Sequence, residues 1–171
     1  MDNLTSNSLR KIFRGESDGI VIRPSFLSPH VAISDIAWAR LKQAQTRLPK
    51  EVQIILYRGY QPRSVLRYIS RQIGAAFFRV LFPTRRDEII QIFSANGHEC
   101  DGNHIDIGLS LHGKNISFLT LSVFTPRCLQ KRLRNTHRLI VDSVQQEMYR
   151  AGFVAHENAT EALVMHFDLV S

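Results

Sequence analysis

The sequence predicts an α+β protein, with helices flanking a small, mostly antiparallel sheet. Three observations predict it. Apolar residues recur at helical spacing from Val65 to Val80, and short β-branched runs such as Val52–Tyr57 are bounded by turn formers. Gly113-Lys114-Asn115 makes a turn between two further apolar runs, which fits a hairpin.

Residues 1–30 carry turn formers, two prolines and one short apolar run, Ile20-Val21-Ile22. They read as an irregular lead-in with one strand, ahead of a single domain over 31–171. Ser34 or Asp35 supplies an N-cap, because a short oxygen-bearing side chain accepts from the unpaired N–H groups of a first helical turn. Ile33, Ile36, Ala37, Leu41 and Ala44 then recur at helical spacing until Pro49 stops the helix. Val52 to Tyr57 reads as a buried strand. After a turn through Gly59 and Pro62, the residues Val65, Leu66, Ile69, Ile73, Ala76, Phe77 and Val80 trace one apolar face of a long helix as far as Pro83. A shorter helix over Arg86–Phe93 leads, through a glycine loop, into a strand over His104–Leu109. Ile140, Val144 and Met148 mark a last helix closed by Gly152 in the C′ position. Phe153–Ala155 and Leu163–Val170 complete the set as strands.

The chain of 171 residues has 22 Lys and Arg against 15 Asp and Glu, a net charge of +7. Such a balance attracts nucleic acid, acidic metabolites or anionic membrane. Arg63, Arg67 and Arg71, four residues apart, read as a solvated helix stripe. Without aromatic interleaving or a nucleic-acid motif, the pattern argues against nucleic acid as a partner. Cys100 and Cys128 are the only cysteines, so no disulfide framework is implied. No secretion leader or membrane-spanning stretch is visible, so a cytoplasmic location with no membrane partner is expected.

The densest chemistry lies in His98-Glu99-Cys100-Asp101-Gly102-Asn103-His104-Ile105-Asp106, joined by His166 near the other end. Histidine nitrogen with carboxylate oxygen is the donor set of catalytic zinc. Alternation along a strand places His104 and Asp106 on one face and Ile105 and Ile107 on the other. A carboxylate between two apolar neighbours needs a partner or an ion to offset its desolvation.

Taken together, Ile54-Ile55-Leu56-Tyr57-Arg58-Gly59-Tyr60-Gln61-Pro62, Gly102-Asn103-His104-Ile105-Asp106, Arg150-Ala151-Gly152-Phe153 and His166-Phe167 resemble the D-alanyl-D-alanine dipeptidases of the vancomycin-resistance type. These are zinc D,D-peptidases that share a fold with the hedgehog signalling domain. The resemblance runs over roughly residues 33–171 and implies that fold. It also implies zinc held by Asp106, His166 and one of Glu99, His98 or His104. The family's zinc loop, Ser-x-His-x-x-Gly-x-Ala-x-Asp, puts Glu99 where its first histidine stands. Its Glu-x-x-His motif puts Leu163 where its general base stands, and Glu161, two residues earlier, is the substitute base. The family's Tyr-Arg-Pro arginine is Gln61 here, with Arg58 or Arg63 available to bring positive charge to the oxyanion. The implied activity is hydrolysis of a small dipeptide or amino-acid conjugate. The alternatives are a metalloenzyme repurposed for an amino-acid-derived metabolite, and a non-catalytic metal- or anion-binding domain.

Overall fold

A computed structural model describes residues 8–25, 28–60, 65–94, 101–116, 127–155 and 165–170. The class is α+β. In chain order the strands are β1 (Leu9–Phe13), β2 (Gly15–Ser17), β3 (Ile20–Ile22), β4 (His30–Ser34), β5 (Val52–Arg58), β6 (His104–Leu111), β7 (Lys114–Asn115), β8 (Phe153–Ala155) and β9 (Met165–Leu169). The helices are α1 (Asp35–Arg47), α2 (Val65–Leu81), α3 (Arg86–Ser94), α4 (Arg127–Thr136) and α5 (Arg138–Arg150). A 3-10 turn over Pro83–Arg85 joins α2 to α3.

The main sheet runs β2-β3-β5-β6-β9-β8, with β7 folded back on the end of β6. Every pairing in it is antiparallel except β3 with β5. That parallel pair needs a crossover, which β4 and α1 supply. The expected turn near Gly113 is a two-residue one: His112 and Gly113 both take positive φ (50° and 74°), the twist that matches paired strands. Of the strand expected after it, over 116–121, residues 117–121 lie outside the described residues, and the partner that β6 meets here is Lys114–Asn115.

Residues 9–22, read from sequence as an irregular lead-in with one strand, carry three. β1 pairs with β4 as a separate two-stranded ribbon, and β2 pairs with β3 at the edge of the main sheet. Leu9–Phe13 escapes a periodicity search because only Ile12 of its five residues is buried. Helix α4 was also missed: its sequence, Arg-Cys-Leu-Gln-Lys-Arg-Leu-Arg-Asn-Thr, is dominated by charge and looks like a solvated run.

One face of the sheet forms the core. Ile54 and Leu56 of β5, Ile105, Ile107 and Leu109 of β6, Met165 and Phe167 of β9 and Phe153 of β8 are buried in one cluster with Ala37, Trp38, Leu41 and Ala44 of α1 and Val141, Val144 and Met148 of α5. Phe153 meets Phe167 edge to face, ring centres 6.4 Å apart. Each such large side chain contributes about 1.5–3 kcal/mol on burial. Ser34 caps α1, its Oγ accepting from the Ala37 N–H at 3.1 Å. Gly152 (φ 90°) ends α5 as expected.

The apolar face expected of α2 behaves otherwise. Val65, Ile69, Ile73, Ala76, Phe77 and Val80 are all exposed. The packed face is the neighbouring one, where Ala75, Phe78 and Phe82 meet Ile89 and Phe93 of α3 in a second small cluster. Gly74 allows this approach, since a Cβ there would stand 2.9 Å from the Phe93 ring.

Candidate metal centre

The opposite face of β6 carries His104, Asp106, Gly108 and Ser110, as the alternation requires. β9 lies antiparallel beside it, with Asp106 opposite His166 and His104 opposite Asp168. Two His-x-Asp triplets, His104-Ile105-Asp106 and His166-Phe167-Asp168, thus face each other in reversed order. Ile105 and Phe167, also opposite one another, both point into the core and fix this register. A one-residue slip would turn the site into the core and the core to the site face.

Several contacts hold the strand ends. Gly102 sits at φ 77°, and a Cβ there would lie 2.8 Å from the Ser34 backbone nitrogen. The Gly102 carbonyl accepts from Ser34 N–H at 3.0 Å. Ser34 Oγ donates to Asn103 Oδ1 at 2.6 Å, and the Asn103 carbonyl accepts from Leu169 N–H at 3.1 Å. Asp101 Oδ1 accepts from the Asn103 N–H, closing an Asx turn. The residue before His104 therefore ties together the α1 cap, β6 and the far end of β9.

Asp106 is 6% exposed and is the hub of the site. Its Oδ1 meets His166 Nδ1 in a short hydrogen bond and lies 3.5 Å from His104 Nε2. Its Oδ2 is 3.7 Å from Arg58 Nη1. The other nitrogen of His104, Nδ1, is 2.6 Å from Asp168 Oδ1. The two imidazoles stack with centres 5.9 Å apart and planes at 23°. Burial alone would raise the Asp106 pKa, but the hydrogen bonds from His104 and His166, with the charges of His166 and Arg58, hold it well below the usual carboxylate range. For His104, burial would lower the pKa, and its bonds to Asp106 and Asp168 outweigh that and raise it.

Arg58 reaches the site through a backbone irregularity. Leu56 is opposite Ile107, so a regular ladder would set Arg58 opposite Ile105, facing the core. The register shift between Leu56 and Arg58 places Arg58 opposite Asp106 instead. Tyr57 lies against Gly108, where a Cβ would stand 2.6 Å from its ring. A cavity of about 310 Å³ opens beside Arg58, lined also by Tyr57, Tyr60, His30 and Lys11.

Of the residues expected from sequence, the structure brings together His104, Asp106 and His166, with one potential donor atom from each lying within 4.8 Å of the others. Among the described residues His104 is the candidate third donor. Arg58 stands at the edge of the same group. Glu99, His98, Glu161, Gln61 and Arg63 lie outside the described residues. Asp168 was not singled out in the sequence, although its signal, a second His-x-Asp triplet, was visible.

The assembly defines a His₂–carboxylate group able to hold a metal ion on the face of the sheet opposite the main core. No protein-family model matches the chain, and no curated protein matches it. No described helix is long and apolar enough to cross a membrane.

Proposed function

We propose that the protein is a divalent-metal hydrolase, with zinc held by His104, Asp106 and His166 and with a small dipeptide or amino-acid conjugate as substrate. The observation that carries this reading is the convergence of three donors, one nearly buried, on two adjacent strands. Two histidines and one carboxylate form the protein donor set of several zinc hydrolases, which leave a further position open. The Asp168 contact adds to the fit, because metal-binding histidines commonly give their second ring nitrogen to a carboxylate that fixes tautomer and orientation. A bound divalent ion would supply Lewis acidity, polarising a carbonyl and acidifying water.

The chain's own groups do the rest. Arg58, more than half exposed and directed at Asp106, is placed to meet negative charge developing on a substrate beside that carboxylate. The cavity next to it has the size of a small-molecule site and shares Arg58 with the metal centre, while His104, Asp106 and His166 do not line it. Glu161 serves as general base in this reading, in place of the family's glutamate at the Leu163 position. D-alanyl-D-alanine itself should be a slow substrate, because Leu163 and Gln61 replace two groups that each contribute on the order of 100-fold or more. Elemental analysis of protein purified without a metal-affinity tag, followed by a dipeptide and acyl-amino-acid panel, tests the proposal. About one metal per chain with chelator-sensitive turnover supports it; metal-free protein that cannot be reconstituted overturns it.

The same donors favour a second reading through their reciprocity. Each imidazole is paired with the aspartate of the opposite triplet, and the rings are stacked. Such a pair can divide acid and base roles without an ion, one ring accepting a proton while the other donates. Turnover that survives exhaustive chelation would favour it over the metal centre.

A further inference from the structure

Helix α2 has two apolar faces, and α3 covers one of them. On that side Phe78 stacks on Phe93 with ring centres 5.8 Å apart, and Ala75 is buried with Ile89. The other side is Val65, Ile69, Ile73, Phe77 and Val80, joined by Leu81. At 3.6 residues per turn these fill roughly 160° of the helix circumference. They are far from buried: Ile69 is 47% exposed, Ile73 65% and Val80 80%. A contiguous apolar stripe of this kind marks an interaction surface.

The charge around the stripe selects the occupant. From Val65 to Arg86 the sequence holds Arg67, Arg71, Arg79, Arg85 and Arg86 and no aspartate or glutamate, and Asp87 and Glu88 follow in the first turn of α3. We propose that this face of α2 docks on an anionic lipid surface, with Ile69, Ile73, Phe77 and Val80 in the headgroup–acyl boundary and Arg79 and Arg86 beside the lipid phosphates. An amphipathic helix with arginine at its margin and large apolar residues on its open side lies in the interface plane, adding burial of apolar area to attraction for anionic lipid. Nucleic acid would satisfy the arginines and leave the apolar stripe in water. A second copy of the chain would cover the stripe but set Arg67, Arg71 and Arg79 of α2, a helix that holds no acid of its own, against the same helix of its partner, an unfavourable like-charge arrangement. The expectation of no membrane partner rested on the lack of a spanning stretch, and a helix lying in the interface needs none.

The test is co-sedimentation of the full chain with vesicles of phosphatidylcholine, with and without phosphatidylserine. Partition should be at least about tenfold stronger with phosphatidylserine and should weaken with salt, since each arginine near an anionic surface contributes up to roughly fivefold. Ile73→Glu with Phe77→Glu, both at exposed positions, should abolish partition while leaving the circular dichroism spectrum and metal content unchanged. Arg79→Glu with Arg86→Glu, which leaves the stripe intact, should weaken it by about ten- to a hundredfold. No partition into anionic vesicles, or equal partition of the Ile73→Glu/Phe77→Glu variant, would overturn the proposal. So would a dimer in sedimentation velocity that this variant converts to monomer, which would assign the face to a second copy.

Discussion

Asp168 offers the sharpest test of how the site is built. Its carboxylate stands opposite His104 across the β6–β9 pair and meets Nδ1 at 2.6 Å, leaving Nε2 turned toward Asp106. If His104 binds metal through Nε2, Asp168 fixes both the tautomer and the ring plane. Loss of such an outer carboxylate weakens metal binding by about 10- to 100-fold, or ~1.4–2.7 kcal/mol. Two substitutions should fall at opposite ends of that span. Asp168→Asn keeps an acceptor oxygen on the same frame and loses only charge, so about tenfold is expected; Asp168→Ala releases the ring, so the loss should approach a hundredfold. Competition of zinc between the protein and a chelating dye, at fixed pH, measures both. Unchanged affinity in both variants, alongside complete loss in His104→Ala, would refute the orienting role. A loss as complete as that of His166→Ala would make Asp168 itself a ligand.

Asp106→Ala and His166→Ala should each abolish stoichiometric metal in elemental analysis, and metal retained by either would remove it from the donor set. His104→Ala should lower zinc affinity more than Glu99→Ala or His98→Ala in parallel titrations; the reverse order would return the third position to the glycine loop. Gly102→Ala should cost about 2–4 kcal/mol in urea unfolding, combining a left-handed backbone penalty with a close approach to the Ser34 nitrogen. A loss near zero would show that this junction yields easily. Metal-free protein should lose stability as pH rises above about 6.5, because His104 binds its proton more tightly folded than unfolded and that advantage disappears through its raised folded value. Asp106 acts in the opposite sense: its stabilisation is present above about 3.8 and is lost as acid protonates it. The zinc-induced rise in melting temperature should instead grow with pH, since ligands must shed protons to bind. Thermal melts with and without chelator separate these trends, and a zinc effect that shrinks as pH rises would contradict the assignment.

Much of this was legible in the residues. The Ser34 cap, the β6 alternation and the Gly152 stop are local signals, set by the first few neighbours of each residue, and all three appear as expected. His104 and Asp106 share a face for the same reason. What sequence left open depends on distant partners: the third donor among His98, Glu99 and His104 is a question of which side chain β9 approaches. Asp168 went unnoticed because its role exists only in the antiparallel register that sets it against His104. The β1–β4 ribbon and the parallel β3–β5 pairing likewise rest on tertiary contacts that short edge strands do not announce. For α2 the periodicity was real but ambiguous. A helix apolar around so much of its circumference does not say which side meets α3, and the smaller side chains at Gly74 and Ala75 admit the closer approach.

His166 is 60 residues from Asp106, and β9 lies between β6 and β8, both of which precede it in the chain. A metal ion held by both would therefore act as a clasp across a long excursion of chain, adding to the strand pairing, the core packing of Phe167 and the His104–Asp168 bond that offset the closure entropy of that loop. On a ribosome such a clasp could not fasten until β9 had emerged and paired with β6 and β8. Metal uptake would then report completion of the sheet, and chains stalled before β9 would be marked by their failure to retain the ion.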